Sequence, residues 1–319
     1  MAVGNYDITY FTEVESKKVN WLWYPYIPYG KLTILQGDPG DGKTTFILSL
    51  IATLSNGEHL PFSETKVSGI SIYQNAEDDI SDTIKPRLER HKANCERICF
   101  IDSKDTPLFM DNDNIEKAIK DTGAKLLVLD PIQSFIGSNV DMNRANSIRP
   151  LMTKLKETAQ KTGCAIVLVG HLNKNNSGKA NYRGLGSIDI SAASRSVLLI
   201  GKDPSNPQNR YLIQQKNNLA PIGDALMFRL VRDGVCWISK TDMTAEELLS
   251  GSCRRNKLDE AVDLIQELLE EGPCLASEIF AFAQKQGIGK RTLKNAKSLL
   301  PILSRKTAEG WVWEIDQGE

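Results

Sequence analysis

The octapeptide Gly37-Asp38-Pro39-Gly40-Asp41-Gly42-Lys43-Thr44 lies between two apolar segments near the start of the chain. It matches the pattern G-x-x-x-x-G-K-[ST], in which the backbone N–H groups of a glycine-rich turn surround phosphate oxygens. The preceding residues 31–36 have the composition of a buried strand, and residues 44–54 have the spacing of a helix. A glycine-rich turn can match this pattern by chance, but the order strand, turn, helix favours a phosphate-binding loop.

Two side chains at the end of the octapeptide suit the chemistry of a bound nucleotide. The Lys43 ammonium can neutralise the β- and γ-phosphates, and the Thr44 hydroxyl can bind Mg²⁺. The start of the following helix adds N–H groups and the positive end of its dipole. We therefore expect ATP and Mg²⁺ as cofactors. The expected nucleotide-binding residues are Gly37, Asp38, Pro39, Gly40, Asp41, Gly42, Lys43, Thr44 and Thr45.

A second apolar segment, residues 126–129, ends in an acid, Asp130. In phosphate-loop enzymes the carboxylate at the end of such a strand helps to hold magnesium, so we expect Thr44 and Asp130 to form the metal site. Many buried strands end in aspartate, and this assignment therefore depends on the phosphate loop. Pro131 follows Asp130, so no glutamate stands beside it, and the catalytic base must come from another part of the chain.

A polar stretch after the predicted strand at residues 69–74 contains the candidate base. Its sequence is Asn75-Ala76-Glu77-Asp78-Asp79. Because the carboxyl ends of parallel strands share one edge of a sheet, this stretch would lie beside the phosphates, where Glu77 can polarise the attacking water. The alternative role is capping of the next helix, which suits Asp78 and Asp79 better because acids favour the first helical turn.

Strand-like and helix-like segments alternate through the first part of the chain, which predicts an α/β fold with a parallel sheet flanked by helices. The predicted strands are residues 31–36, 69–74, 98–102, 126–130 and 165–169, and the predicted helices are residues 44–54, 80–91, 114–120 and 148–162. Shorter strands follow, at residues 196–200, 210–215, 227–231 and 235–238. Because Gly, Asn, Pro and Asp separate them, we expect antiparallel extensions at one edge of the sheet.

The composition is that of an ordinary globular protein, with 319 residues, 41% hydrophobic, 7% aromatic and a net charge of −1. It excludes collagen, coiled coils and wholesale disorder, and it argues against a uniformly basic nucleic-acid-binding protein while allowing local basic patches. At about 100 to 200 residues per domain, the length allows two domains. We expect an N-terminal strap at residues 1–30, an ATPase core at 31–250, a linker at 251–257 and a small domain at 258–319.

Cysteine and membrane signals are weak in this sequence. The six cysteines contain no CxxC pair and there are only three histidines, so a structural zinc site lacks its ligand clusters and we expect reduced thiols. No apolar run reaches the roughly 18 residues of a membrane helix, and the N-terminus lacks a basic region followed by an apolar one. We expect a cytoplasmic protein.

With these motifs in this order, residues 21–230 resemble the RecA-like ATPases and, among them, the RepA-type hexameric helicase ATPases of plasmids and mobile elements. The two phosphate-site motifs are shared by many P-loop proteins, whereas residues 75–79 are more specific. Three further blocks strengthen the resemblance: Gly170-His171-Leu172-Asn173-Lys174, Arg183-Gly184-Leu185-Gly186-Ser187 and Lys216-Asn217-Asn218-Leu219-Ala220-Pro221. The resemblance implies an ATPase that forms a ring around single-stranded DNA.

The resemblance assigns catalytic roles to two further residues. His171 would sense the γ-phosphate and signal to the next loop, with a purely structural histidine as the alternative. Lys216 would reach the γ-phosphate bound by a neighbouring subunit. Related rings often have an arginine two positions later, where this chain has Asn218. The charge acting in trans is therefore Lys216 alone, Arg195 or another arginine, whose rigid fork suits this role.

Residues 173–186 are polar, contain glycine and include no acid. A long irregular loop of this kind is usually functional or disordered. In the RecA-like rings that this chain resembles, the corresponding loop faces the central channel and holds single-stranded nucleic acid. Lys174, Lys179 and Arg183 are the candidate DNA contacts, and a solvated flexible loop is the alternative.

Three helix-like segments, residues 258–269, 276–286 and 291–300, and a terminal hairpin predict a winged helix. Lys290, Arg291, Lys294 and Lys297 lie along one face of the third segment, and no acid occurs between residues 290 and 306. A basic helical face is typical of contact with duplex phosphates, although winged helices also bind proteins.

The leading hypothesis from the sequence is a hexameric, ring-forming DNA helicase that acts in the replication of a plasmid, phage or integrated element. A DNA loader or recombination mediator that hydrolyses ATP without unwinding is one alternative. A regulatory ATP switch that binds protein partners rather than DNA is the other.

Overall fold

The computed structural model describes residues 8–102, 107–137, 140, 144–172, 188–250, 257–270, 272–307 and 310–315. The chain divides into two compact units, Met1–Gly251 and Ser252–Glu319. Within the described ranges, no helix combines the length and the apolarity that crossing a membrane requires.

In the described part of the first unit, a short 3-10 turn, Phe11–Glu13, and a two-stranded hairpin precede a nine-stranded sheet. Its strands are β1 Trp21–Trp23, β2 Ile27–Pro28, β3 Leu32–Gly37, β4 Ser71–Asn75, β5 Ile98–Cys99, β6 Leu126–Asp130, β7 Ala165–His171, β8 Ser196–Lys202, β9 Asn209–Asn217, β10 Ala225–Val231 and β11 Gly234–Thr241. Its helices are α1 Lys43–Asn56, α2 Lys85–Arg90, α3 Asp113–Thr122, α4 Ala145–Thr162, α5 Ile188–Ala193 and α6 Ala245–Ser250. A π-helical turn, Ile80–Ile84, leads into α2.

The strand order in the large sheet is β11-β10-β9-β8-β3-β7-β6-β4-β5. From β8 to β5 neighbouring strands are parallel, and β9, β10 and β11 continue the sheet in antiparallel fashion. One apolar layer contains side chains of α1 and α2, and the layer on the other face contains side chains of α3 and α4. The predicted α/β fold is confirmed, and burial between two layers explains why the central strands are almost entirely apolar.

The N-terminal hairpin is anchored by buried aromatic side chains. Trp23, Tyr26 and Ile27 lie in the same apolar layer as α1. The indole N–H of Trp23 donates to the carbonyl oxygen of Pro61 at 3.0 Å, so the polar end of this large side chain is also satisfied. Packing of these residues fixes the chain just before β3.

Two predicted strands differ from the observed ones. The sequence predicts an antiparallel strand at residues 196–200, but β8 pairs parallel with β3. The sequence pattern gives no sign of α5, the helix directly before β8, and a helix between two strands of one sheet is the usual connection of parallel strands. The strand predicted at residues 98–102 is also shorter, because only Ile98–Cys99 pair with β4.

The parallel strands bring their polar ends to one edge of the sheet, here called the carboxyl rim. Gly37 at the end of β3 lies beside His171 at the end of β7. Asn75 at the end of β4 lies beside Asp130 at the end of β6. Four segments that are far apart in the sequence therefore meet where ligands bind in open α/β sheets.

Over its described residues, the second unit has three helices and a three-stranded antiparallel sheet in the order β12-β14-β13. Its elements are α7 Lys257–Glu270, β12 Cys274–Leu275, α8 Ala276–Lys285, α9 Lys290–Ser298, β13 Ile302–Thr307 and β14 Gly310–Ile315. Its own apolar core includes Ile265, Ile279, Leu293 and Trp313, one from each helix and one from β14. This core gives the unit a packing interior separate from the large sheet.

Candidate active site at the carboxyl rim

The phosphate loop connects β3 to α1, and two of its glycines are required by its shape. Gly42 has φ +94°, a conformation that residues with a Cβ rarely adopt. A Cβ on Gly37 would overlap the carbonyl oxygen of Ile200 on β8. The loop can therefore lie directly against the sheet, with backbone N–H groups at the start of α1 available for an anion.

The Lys43 ammonium lies folded back over this loop. It donates to the carbonyl oxygens of Gly37 and Asp38, both at 2.9 Å. It also lies 3.2 Å from Nδ1 of His171. Burial lowers the pKa of Lys43, while Asp41 and Asp130 partly oppose this shift. A cation whose present partners are mostly neutral oxygens is well placed to exchange them for phosphate oxygens.

Thr44 and Asp130 present two oxygen atoms to the same point of the rim. The Thr44 hydroxyl donates to Asp130 Oδ2 at 3.1 Å, and the Tyr73 hydroxyl donates to the same oxygen at 2.9 Å. Burial raises the pKa of Asp130, and these two hydrogen bonds oppose the increase because they stabilise the carboxylate.

This pair fits Mg²⁺ bound together with a nucleotide. Mg²⁺ prefers hard oxygen ligands and commonly takes one or two from the protein, with phosphates and water completing the octahedron. Among the residues that the structure describes, no group of three or more His, Cys, Asp or Glu side chains could hold a metal by itself. The cysteines in these ranges are free thiols.

Glu77 stands in a turn beside the pair, and its backbone is held by Asn75. The N–H groups of Glu77 and Asp78 donate to Asn75 Oδ1 at 2.7 and 2.9 Å. Glu77 Oε1 lies 3.9 Å from Nε2 of His171. The Glu77 side chain is 60% exposed, so water has access to its carboxylate.

The capping role belongs to a different acid. Asp79 accepts hydrogen bonds from the N–H groups of Ser81 and Asp82 at the start of the π-helical turn. Asp78 pairs with Arg87 at 2.9 Å. Glu77 takes part in neither arrangement, and its carboxylate remains near His171.

Two further residues at the rim, Lys202 on β8 and Arg210 on β9, contact the loop residue Asp41, and no sequence motif points to either of them. Asp41 is buried and its Oδ2 accepts a hydrogen bond from the N–H of Asp38 at 2.8 Å. Arg210 Nε, on β9, donates to the Asp41 carbonyl oxygen at 3.2 Å. Lys202 Nζ, at the end of β8, lies 3.9 Å from Asp41 Oδ1. The phosphate loop is thus braced by residues more than 150 positions later in the chain.

Lys216 lies at the opposite ends of the strands from the phosphate loop, away from the carboxyl rim. It pairs with Val197 at the start of β8, whereas the loop follows the end of β3. Its ammonium donates to the carbonyl oxygens of Ser191 at 2.7 Å and Ser194 at 2.9 Å. Burial and the neighbouring Arg195 lower its pKa. Lys216 therefore cannot contact phosphates bound by its own chain.

The candidate DNA contacts fall into two groups. Lys174, Lys179 and Arg183 lie outside the described residues. In α9, Lys290, Arg291 and Lys294 are exposed. Lys297 is engaged within its own unit, with its ammonium 4.4 Å from the centroid of the Trp313 ring and hydrogen-bonded to Ser304.

The motifs at this rim are matched by a known family. Its sequence model, described as an AAA domain, matches residues 9–177, a segment that includes the phosphate loop, Glu77, Asp130 and His171. The chain belongs to this family. It is a RecA-like P-loop ATPase by motif and by fold, as the sequence predicts.

Two curated relatives of this AAA domain are bacterial. Over 150 residues it is 27% identical to the DNA repair protein RadA of Bacillus subtilis (strain 168), covering 46% of this chain and 29% of RadA. Over 164 residues it is 25% identical to the RadA of Halalkalibacterium halodurans, covering 51% of this chain and 32% of that relative. The match spans about a third of the length of these relatives.

A solved structure shows the same fold. It is the KaiC-like protein PH0186 from Pyrococcus horikoshii OT3, with 19% sequence identity and a TM-score of 0.50. The match covers 67% of this chain and 91% of that protein. At this level of identity the likeness concerns the fold alone.

Proposed function

We propose that this AAA domain hydrolyses ATP at the carboxyl rim and uses the reaction to act on DNA. The observation that supports hydrolysis is the convergence of a buried lysine, an oxygen pair suited to a metal and a solvent-accessible carboxylate. Lys43, the Thr44–Asp130 pair and Glu77 come from three separate strand ends. A protein that only binds nucleotide needs the lysine and the oxygen pair for the metal. A carboxylate that water can reach is useful for hydrolysis.

Each residue has a distinct part in the proposed reaction. Lys43 exchanges its loop carbonyls for the β- and γ-phosphates and stabilises the charge on them. Glu77 accepts the proton of the attacking water. His171, between Lys43 and Glu77, registers whether the γ-phosphate is present. Thr44 and Asp130 would hold Mg²⁺, which when bound supplies neutralisation of the phosphate charge.

The DNA part of the proposal has two sources of support. The curated relatives are DNA repair proteins by name. Residues 173–186 follow β7 and His171 directly, and their basic residues Lys174, Lys179 and Arg183 suit a single strand held by its phosphates. We propose that the chain forms a ring, a hexamer in the leading hypothesis, with these residues in the channel and Lys216 acting on a neighbour's nucleotide.

Within this scheme a RepA-like DNA helicase of a plasmid, phage or integrated element is the leading form. A DNA loader or recombination mediator without unwinding is the alternative, and it would also suit the DNA repair that the names of the two relatives specify. We further propose that the second unit is a winged helix whose exposed Lys290, Arg291 and Lys294 contact duplex phosphates. A regulatory switch that binds only proteins is the remaining alternative.

Two assays, first of ATP hydrolysis and then of strand displacement, test the proposal. Phosphate release by the full chain is measured with and without single-stranded DNA, with Lys43→Ala as the matched inactive control. We expect Mg²⁺-dependent hydrolysis that single-stranded DNA stimulates. Displacement of a labelled strand then indicates a helicase, and stimulation without displacement indicates a loader or mediator. Absence of DNA binding at low salt would overturn both and leave the regulatory switch.

A further inference from the structure

Tyr73 and Asn75 lie between the two carboxylates of the candidate site. The Tyr73 hydroxyl donates to Asp130 Oδ2 at 2.9 Å and accepts a hydrogen bond from Asn75 Nδ2 at 3.2 Å. Asn75 Oδ1 in turn accepts the backbone N–H of Glu77 at 2.7 Å. An unbroken series of hydrogen bonds therefore joins the carboxylate on the metal side, Asp130, to the turn that carries Glu77.

The amide of Asn75 serves both directions at once. Its NH₂ group donates to Tyr73, while its oxygen accepts the N–H groups of both Glu77 and Asp78. An aspartate at this position could close the same turn, but it would have no proton to donate to the tyrosine. The two functions require an amide at this point.

The contacts of Tyr73 exceed what its burial requires. The side chain is 2% exposed, and a buried tyrosine hydroxyl needs a hydrogen-bond partner. One acceptor anywhere in the core would meet that need. Here the hydroxyl acts as donor and acceptor, and its partners are the carboxylate of Asp130 and the residue that closes the Glu77 turn. Such a bridge constrains both sides of the site.

We propose that Tyr73 and Asn75 are positioning residues, which hold the turn that carries Glu77 in a fixed position relative to the Asp130 carboxylate. In this arrangement the orientation of the metal-side carboxylate determines the position of the carboxylate that accepts the water's proton. The consequence for hydrolysis rests on the proposed function. The physical link between Asp130 and the turn does not, and it can be tested separately.

Amide hydrogen exchange of the nucleotide-free full-length chain tests the link. Tyr73→Phe removes one hydroxyl and leaves Asn75 and the turn intact in sequence. We expect the N–H groups of Glu77 and Asp78 to exchange about two- to tenfold faster, the range that follows from losing one hydrogen bond of ordinary strength. Unchanged exchange at both amides would overturn the proposal.

Tyr211→Phe is the matched control. The Tyr211 hydroxyl also donates to an aspartate, Asp203 Oδ2, at 3.2 Å, and Tyr211 is also buried. We expect this variant to leave the exchange of Glu77 and Asp78 as in the unmodified chain. Equal acceleration in both variants would mean a general loss of stability and would overturn the specific link.

A double-mutant cycle on single-turnover hydrolysis tests the catalytic consequence. Tyr73→Phe is measured in the unmodified chain and in the Glu77→Gln background, which keeps the backbone turn but lacks the proton acceptor. If Tyr73 acts through Glu77, the fold-reduction in hydrolysis rate caused by Tyr73→Phe falls to about one in the Glu77→Gln background. The same cost in both backgrounds would show that Tyr73 serves Asp130 alone and would overturn the proposal. If the unmodified chain does not hydrolyse ATP, the proposed function fails, and hydrogen exchange still decides the link.

Discussion

Nδ1 of His171 lies 3.2 Å from Nζ of Lys43. Because an ammonium can only donate, this contact is a hydrogen bond only in the tautomer whose proton is on Nε2, the atom that faces Glu77. In the proposed reaction Lys43 exchanges its loop carbonyls for phosphate oxygens. Nucleotide binding would therefore move the ammonium that faces His171, the histidine that precedes residues 173–186.

His171→Ala should therefore separate basal hydrolysis from its stimulation by DNA. The variant keeps Lys43, Asp130 and Glu77, and we expect basal turnover to remain within about tenfold of the unmodified chain. Stimulation by single-stranded DNA should be lost, because the link between phosphate and loop is removed. Phosphate release over a range of DNA concentrations measures both quantities. Full stimulation in the variant would indicate a structural histidine.

Lys43→Ala should abolish hydrolysis and weaken nucleotide binding, because the buried cation at the phosphate loop is removed. A fluorescent ATP analogue measures binding and phosphate release measures turnover. Lys202→Ala is the control, since it also removes one positive charge beside the loop but from a partly exposed side chain. Undiminished turnover in Lys43→Ala would contradict the assignment of the loop.

Glu77→Gln should retain bound ATP while hydrolysis falls by about 10² or more, because an amide cannot accept the proton of water. Rapid quench of pre-bound labelled ATP measures the trapped state. Asp78→Asn, whose carboxylate pairs with Arg87, is the neighbouring control and should change turnover only slightly. Loss of ATP binding in Glu77→Gln would point to a structural role for this acid.

Lys216→Ala and Lys43→Ala should complement each other when mixed. Each variant alone is expected to be inactive, but a mixed assembly contains sites with an intact phosphate loop from one chain and Lys216 from another. We expect partial recovery of hydrolysis at equal proportions. A mixture as inactive as its components would show that Lys216 does not act in trans, and its bonds to Ser191 and Ser194 would then be its main role.

The two basic regions should respond to different DNA substrates. Neutralising Lys174, Lys179 and Arg183 should weaken single-strand binding. It should also reduce the steepness of the plot of log binding constant against log salt concentration by about 0.7 for each lost phosphate contact. Neutralising Lys290, Arg291 and Lys294 removes the same charge from α9 and should weaken duplex binding instead. Titrations at several salt concentrations measure both. The reverse pattern would make the second unit the sensor of single strands.

Local sequence patterns predict the parallel sheet, the phosphate loop and the acids at the strand ends. Each of these depends on neighbouring residues, such as the glycines of the octapeptide or the apolar run before Asp130. β8 is different, because the feature that would indicate a parallel strand is the short helix α5 before it, and six residues give little periodic signal.

Other parts of the site depend on pairing between distant strands. Arg210 reaches Asp41 only because β9 lies two strands from β3 in the sheet. Tyr73 is an ordinary buried strand residue in the sequence, and its bond to Asp130 arises from the alignment of β4 with β6. Such contacts are set by register, which local composition does not determine.

The position of Lys216 has a consequence for how the protein would behave on dilution. Its own phosphate loop lies at the opposite ends of the strands, so in the proposed ring a solitary chain would carry parts of two sites and no complete one. If Lys216 contacts the nucleotide of a neighbouring chain, turnover per chain would rise with protein concentration. It would be lost at concentrations low enough for the assembly to dissociate. The protein would then be inactive as an ATPase at low concentration, and a local rise in its concentration would be enough to activate it.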